Sequence, residues 1–452
     1  MTGIVWFRRD LRLDDNPAWA AATAECQNVV ALFVLEPQLL HAASDVRRNQ
    51  LLGHLAALNE SLVGLGGMLV VRHGPAQTAV PRLVDEVGAT ALFVNVDATP
   101  FSMARDRAVA RSINIPVRPY HGTVVHEPGK VLTKAGTLSQ VFTPFYKTWS
   151  VTAQTPWPSP GPGRPITHAS DELPAPSGPV RQVPGQVAAW NRLDDWLGRV
   201  ESYPTPLDLP SIDGTSDLSA DLKFGTLSPR AIAETLDTTQ PGHETFLRQI
   251  AWRDWWAHTL VRHPDLANTE LKPNYQAIVW RNNNDDFERW CRGQTGFPIV
   301  DAGMRQLAAT GWMHNRVRMI TASFLVKDLL IDWRRGERFF RHWLVDADLA
   351  QNAGNWQWVA GTGPDAAPYF RIFNPTTQSK KFDPDGAYIK RWVPELASLP
   401  RSTVHEPSLA GPLELALHGV TLGDTYPWPI VDHAKARTRT LAAYRAALND
   451  GP

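Results

Sequence analysis

The sequence predicts an α/β domain built on a doubly wound parallel sheet, followed by an all-α C-terminal domain. Three observations lead there. Up to about Tyr120, short apolar runs alternate with amphipathic stretches of helical spacing, as parallel strands joined by crossover helices require. From Ser150 to Gln186 the composition turns to Pro, Gly and Ser, with Thr155-Pro156-Trp157-Pro158-Ser159-Pro160-Gly161-Pro162-Gly163 at its heart. Beyond it the strand signal fades and helical patterns run to the end. The expected boundaries are 1–125 for the α/β domain, 126–186 for a linker carried over the surface, and 187–452 for the helical domain.

Taken in order, Ile4–Phe7, Val29–Leu35, Met68–Arg72, Ala91–Val96 and Ile115–Tyr120 read as buried strands, and Arg47–Gly64, Ala76–Val87 and Met103–Ser112 as helices. The first strand runs into Arg8-Arg9-Asp10-Leu11-Arg12 instead of a Gly-rich fingerprint, so the main nucleotide site is not assigned to this domain. In the second half, Ser228-Pro229 starts a helix. Phe246–His263 is a long helix stopped by Pro264, Pro298–Thr310 is closed by Gly311, Asn315–Ile331 follows as another, and Ala434–Leu448 is the last.

Composition narrows the classes. A chain of 452 residues is too long for one core, and 43% hydrophobic with 20% charged residues is ordinary for a globular enzyme-sized protein. Lys plus Arg and Asp plus Glu balance at 45 each, so contact with nucleic acid has to rest on a local patch. Cys26 and Cys291 stand far apart without metal-type spacing, which reads as reduced thiols, no disulfide and no metal site. The N-terminus has no signal layout and no apolar run spans a bilayer, so a cytoplasmic protein without membrane insertion is expected. The 18 Trp are unusual, and serve packing, base stacking or electron transfer.

Four constellations stand out. Thr215-Ser216-Asp217-Leu218-Ser219 gathers hydroxyls and free N–H groups where a helix begins, which suits a phosphate or an N-cap with spare serines. Asp346 and Asp348 flank Ala347, and Arg318 lies four positions beyond His314; the three charges read as a structural ion-pair cluster or as groups that set the potential of a redox cofactor. Gln249, Trp252 and Trp256 share one helix face, as do Asn315 and Met319, and a stripe with amides at its ends fits a core or a cradle for a flat ligand. Lys380-Lys381, beside Gln378, read as a solvated basic loop or as phosphate contacts, and Arg316 in its own segment as a further phosphate contact.

These segments, bracketed by Val5-Trp6-Phe7-Arg8-Arg9-Asp10-Leu11-Arg12 and Tyr426-Pro427-Trp428-Pro429-Ile430-Val431, resemble the photolyase/cryptochrome family over nearly the whole chain, with Gly311–Met319 and Asp346–Trp358 the most specific stretches. The resemblance implies a Rossmann-like antenna domain and an all-α FAD-binding domain holding reduced, non-covalent FAD. Tyr203, Thr215, Ser216, Asp217, Leu218 and Ser219 would hold the pyrophosphate, and Phe246, Arg253 and Ala347 would also line the cofactor. Arg318 would pair with Asp346 beside the isoalloxazine, Asp348 would meet the ring edge or ribityl chain, and Asn352 would face N5. Trp356, Trp333 and Trp280 match the three-tryptophan electron chain.

By the same resemblance, Trp252, Trp256 and Trp358 would stack around a flipped lesion, Gln249, Asn315 and Met319 would touch its bases, and Arg253, Arg316, Gln378, Lys380 and Lys381 would position UV-damaged DNA without reading its sequence. Leu207 stands where several relatives place an arginine. The implied activity is that of a class I cyclobutane pyrimidine dimer photolyase, a carbon–carbon lyase driven by light, acting as a monomer. Two alternatives come from the same family: a cryptochrome-type photoreceptor and a six-four photolyase. Gln249 replaces the usual Glu and points to the six-four branch, but that branch places histidines where this chain has Asn315 and Met319. A light-independent flavin oxidoreductase lacks its nicotinamide motif here. For the antenna, Asn95-Val96-Asp97 with Arg105-Asp106-Arg107 favour a deazaflavin over a folate or FMN.

Overall fold

The computed structural model describes residues 1–450. Its N-terminal part runs β1 (Thr2–Phe7), α1 (Pro17–Glu25), β2 (Asn28–Leu35), α2 (Pro37–His41), α3 (Asp45–Gly64), β3 (Leu69–His73), α4 (Ala76–Val87), β4 (Ala91–Asn95), α5 (Pro100–Ser112) and β5 (Val117–Tyr120). The strands pair in parallel in the order β3-β2-β1-β4-β5, so the fold class read from the sequence holds. Period-2 alternation sorts the side chains. Val5, Phe7, Ala31 and Phe33 join one core with α1 and α3, whereas Ile4, Trp6, Val30 and Leu32 join the other with α4 and α5. Helix α1 has no periodic signature, because its Ala-rich turns are buried on nearly every side and carry no amphipathic stripe.

The chain continues with α6 (Phe142–Trp149), β6 (Arg164–Pro165), α7 (Gln186–Leu197), α8 (Ser219–Phe224), α9 (Pro229–Thr235) and α10 (Pro241–Arg262). Residues 126–186 are thus more than a linker. Phe142, Phe145, Tyr146 and Trp149 bury one face of α6 at spacings of three and four, and β6 adds to the sheet beside β2. After α10 come α11 (Asn284–Cys291), α12 (Pro298–Thr310), α13 (Asn315–Ser323), α14 (Trp333–Trp343), α15 (Leu349–Ala360), α16 (Pro375–Phe382), α17 (Ala387–Trp392), α18 (Pro412–Leu417) and α19 (His433–Asp450).

Two compact units result. The first comprises residues 1–202, 216–264 and 345–350; the second comprises 203–215, 265–344 and the chain from Gln351. This division differs from the composition boundary at 187, since α7 to α10 pack with the first unit. In the second unit Asp301 is a keystone on α12: it accepts from Thr295 N at 2.7 Å, Gly296 N at 3.0 Å and Tyr426 Oη at 2.6 Å, which fixes the Tyr426-Pro427-Trp428 segment. The helix expected over Asn315–Ile331 is interrupted. It turns π-helical at Phe324–Asp328, where the buried Lys327 Nζ donates to Ala360 O at 2.7 Å and Thr440 Oγ1 donates to Lys327 O at 2.5 Å. Among the described residues no helix is long and apolar enough to cross a membrane, and no cluster of three His, Cys, Asp or Glu is placed to hold a metal.

Candidate functional site

In the first unit, Asp217 is in the left-handed region at φ 53°, and Leu218 follows at φ −87°, ψ 0°. Left- and right-handed residues in succession turn neighbouring N–H groups toward one point and make a concave anion receptor. Leu218 N lies 3.4 Å from Ser216 Oγ, Leu218 is buried and Ser219 is exposed. The donors of this turn suit a pyrophosphate, which is the fit required of an FAD loop. A helix dipole contributes little here, since α8 has only six residues; the donors belong to the turn. Tyr203, in the second unit, is buried, and burial pushes its phenol up to about 12. Phe246 packs edge-on to Trp196 at 5.3 Å and is 5% exposed.

Around the end of β1 the first unit collects charge. Asp348 is ion-paired with Arg9, whose second partner is Asp97 at 3.3 Å. Burial works against the Arg9 charge, but the two carboxylates outweigh it and raise the pKa further. Arg253 donates to Thr123 O at 2.5 Å and Leu222 O at 3.1 Å, so its guanidinium is turned inward onto carbonyls and is withdrawn from the DNA contacts. Lys223 is held well below the usual lysine range by burial and then by Arg9 and Arg47. Sequence reasoning missed Arg9 and Lys223; the signal was the unexplained Arg8-Arg9 pair after β1.

The antenna residues divide. Asn95 is 3% exposed, and its Nδ2 donates to Asp10 Oδ2 at 2.6 Å and Asn16 Oδ1 at 2.8 Å. Arg8 and Arg105 both lie over the Trp6 ring, at 4.7 and 4.8 Å, and both pair with Asp106, at 2.5 and 3.0 Å. Asp97 remains in the polar group with Arg9 and Ser102.

On α10, Gln249 is exposed and Trp252 half-buried. Trp252 stacks on Phe142 with ring centroids 3.8 Å apart and 12° between planes, and meets Trp255 edge-on at 5.1 Å. Trp256 is 1% exposed behind it, which leaves no face for a lesion; it is a core residue that supports Trp252, a correction to the expected contact set. Phe142 was invisible to the sequence because its segment was read as linker.

In the second unit the Asn352 Nδ2 donates to Glu337 O at 2.9 Å and to Glu337 Oε1 at 3.0 Å, leaving Oδ1 as the accepting end of the amide. A flavin carrying a proton at N5 needs such an acceptor, so this residue fits the reduced cofactor. Glu337 is 1% exposed, and burial raises its carboxyl pKa. Arg318 donates Nε to Met313 O at 2.7 Å. Trp356 is 2% exposed and packs edge-on to Phe340 at 5.1 Å. A Cβ at Gly336 would come within 2.6 Å of Trp356 Cζ3 and of Leu325 Cδ2, so the indole lies directly on α14, one turn from Trp333. Trp333 is fully buried with Nε1 donating to Glu270 at 3.1 Å, and Trp280 is half-buried, edge-on to Tyr444 at 6.2 Å.

Asn315 is exposed at the start of α13, Met319 half-buried one turn on, and Trp358 half-buried on α15. His314 caps α13, accepting from Arg316 N at 3.2 Å, and burial lowers its pKa to about 4, so it is neutral. Arg316 forms a two-pronged bridge to Asp208, at 3.1 and 2.6 Å, and lies 4.3 Å over the Phe382 ring. On α16, Lys380 and Lys381 are exposed and Gln378 half-buried.

Residues 246–446 match the FAD binding domain of DNA photolyase, and residues 3–162 match the DNA photolyase family. The deoxyribodipyrimidine photo-lyase of Agrobacterium fabrum is 41% identical, covering 98% of this chain and 97% of that protein. A bacterial class III photolyase from Agrobacterium tumefaciens superposes with a TM-score of 0.91 at 40% identity, covering 99% of this chain and 98% of that one. A Synechocystis cryptochrome superposes with a TM-score of 0.90 at 30% identity, over 98% and 99%. A parallel α/β sheet domain and a helical FAD-binding domain define a flavoprotein of the photolyase fold. The chain belongs to the DNA photolyase family.

Proposed function

We propose that this chain is a cyclobutane pyrimidine dimer photolyase. The observation that carries the reading is the Asn352 amide, fixed by Glu337 so that Oδ1 accepts. Bound FAD, in its reduced form and after excitation by light, supplies the electron that opens the cyclobutane ring. The chain's own residues do the rest. Toward that cofactor, the Asp217-Leu218 turn, with Ser216 and Ser219, would take the pyrophosphate; Arg318, Asp346 and Asp348 would supply charge for the ring; and Asn352 would offer Oδ1 as the acceptor for N5. Trp252, stacked on Phe142, offers an aromatic face to the lesion, and Gln249, Asn315, Met319 and Trp358 are each assigned a lesion contact by the same reading. Trp356, Trp333 and Trp280 are the residues that would pass electrons toward the bound cofactor. Lys380, Lys381, Gln378 and Arg316 position phosphates without reading bases.

Two features support a dimer substrate over a six-four photoproduct. Asn315 and Met319 offer no imidazole, and the neighbouring His314 is neutral and occupied as a cap. The class I placement read from the sequence rests on its motifs; the Agrobacterium tumefaciens structure favours class III as the second reading. For the antenna, Asp97 with Arg105, Asp106 and Arg107 keep the deazaflavin-type chromophore ahead of a folate or FMN. A cytoplasmic monomer acting on UV-damaged DNA is the form proposed.

The test is illumination of the purified protein with UV-irradiated oligothymidylate. Thymine absorbance should return under blue light and not in the dark. Flavin absorbance without any return under light would replace the enzyme by a photoreceptor, the reading the Synechocystis cryptochrome favours.

A further inference from the structure

The last residues of the proline-rich segment do more than connect. Gln50 and His54 on α3, both 0% exposed, pin them: Gln50 Oε1 accepts from Arg181 N at 2.9 Å and Gln182 N at 3.1 Å, Gln50 Nε2 donates to Gln182 O at 3.1 Å, and His54 Nδ1 accepts from Gly185 N at 3.0 Å. His54 can accept because burial keeps it neutral, with its pKa lowered to about 3. From this anchored strap two side chains reach the segment 217–221. Arg181 Nη2 bonds Asp217 Oδ1 at 2.8 Å, and Gln182 Nε2 donates to Asp221 Oδ2 at 2.8 Å, where Arg192 also binds at 2.7 and 2.9 Å.

Asp217 has two liabilities for an anion-binding turn. Its φ of 53° is a conformation that glycine adopts freely and L-residues adopt at a cost. Its carboxylate also adds negative charge beside the N–H groups meant for a pyrophosphate. Burial and the nearby Asp346 raise its pKa, and Arg181 works in the opposite direction. The strap thus meets both liabilities with one guanidinium.

We propose that Arg181 is a positioning residue for FAD: acting through Asp217, it holds the left-handed turn and neutralises the carboxylate where the pyrophosphate enters. The proposal rests on the FAD reading above. FAD release from the full-length protein, followed by flavin fluorescence, tests it. Arg181→Ala should weaken FAD binding about tenfold, the loss expected for one charge-assisted contact, and Arg181→Lys should recover most of it. Measured against the affinity of Asp217→Gly itself, Arg181→Ala in the Asp217→Gly background should have no further effect, because glycine needs neither the clamp nor the counter-charge.

Wild-type binding by Arg181→Ala, or an undiminished loss in the Asp217→Gly background, overturns the proposal. If Arg181→Ala alone does not fold, the double variant decides: folding and binding like Asp217→Gly supports a role through Asp217, and failure to fold refutes it. Ser216→Ala and Ser219→Ala separate the two readings. If neither weakens FAD binding, the phosphate-loop reading fails; if they do and Arg181→Ala does not, only the Arg181 proposal falls.

Discussion

The Asn352 amide donates both to the backbone carbonyl of Glu337, at 2.9 Å, and to its Oε1, at 3.0 Å. One residue therefore fixes the direction of the other, and the accepting oxygen of Asn352 can point only away from Glu337. Glu337→Gln keeps an acceptor and should repair dimers near the wild-type rate. Glu337→Leu leaves Nδ2 with the carbonyl alone and should slow repair about tenfold with flavin content unchanged, since an unfixed catalytic group loses orientation. Equal rates for the two variants would show that Glu337 does not orient Asn352.

Gly336 is where α14 admits the Trp356 indole. Gly→Ala inside a helix ordinarily stabilises by about 1 kcal/mol. Here the added methyl collides with an indole and with Leu325, and overpacking of this kind costs about 1–3 kcal/mol. Gly336→Ala should therefore lower the melting temperature and slow the bleaching of flavin absorbance under light with an external reductant. A raised melting temperature would place Trp356 elsewhere.

Asp208 holds the guanidinium of Arg316 over Phe382, with both charges partly exposed. A DNA phosphate has to compete with that carboxylate. Asp208→Asn should raise affinity for irradiated DNA and steepen the dependence of log affinity on log salt by about one unit, the increment of one phosphate contact. An unchanged slope would remove Arg316 from the DNA contacts.

His433 at the start of α19 bonds Asp328 of the π-helical turn at 2.5 Å. That bond, against burial, raises the imidazole above its ordinary 6.5, and burial raises the Asp328 carboxyl; Arg437, Arg439 and Asp432 are the other charges acting on the pair. A group with a raised folded-state pKa contributes fully below its unfolded value and loses that contribution as pH rises through the folded one. The Asp328 shift acts from the carboxylate range upward and the His433 shift from the ordinary imidazole value of 6.5 upward, so thermal stability should fall as pH rises above that value more steeply in wild type than in His433→Gln. Parallel pH curves for the two proteins would exclude the pair as the source.

Much of the fold was legible because it is periodic. The strands of the sheet, α4 and α12 follow from alternation, helical spacing and the glycines that close both helices. The interruption at Phe324–Asp328 was not, because Lys327 is drawn to carbonyl and ring partners far along the chain. The indole stripe of α10 was visible, but which tryptophan faces outward was not. Trp252 and Trp256 are four apart on one face, and only the stacking of Phe142 separates the half-buried ring from the core one.

By itself the sequence determined the class of fold, the family and the residue types of the site, because these are written in local spacing and in short motifs. The tertiary structure decided the partners. Arg9 reaches Asp348 across 339 positions, Arg316 takes Asp208 across 108, and Arg181 takes Asp217 from within a stretch that composition marks as a tether. Such pairings depend on the path of the chain and on which charges lose their water together, and neither quantity has a local signature.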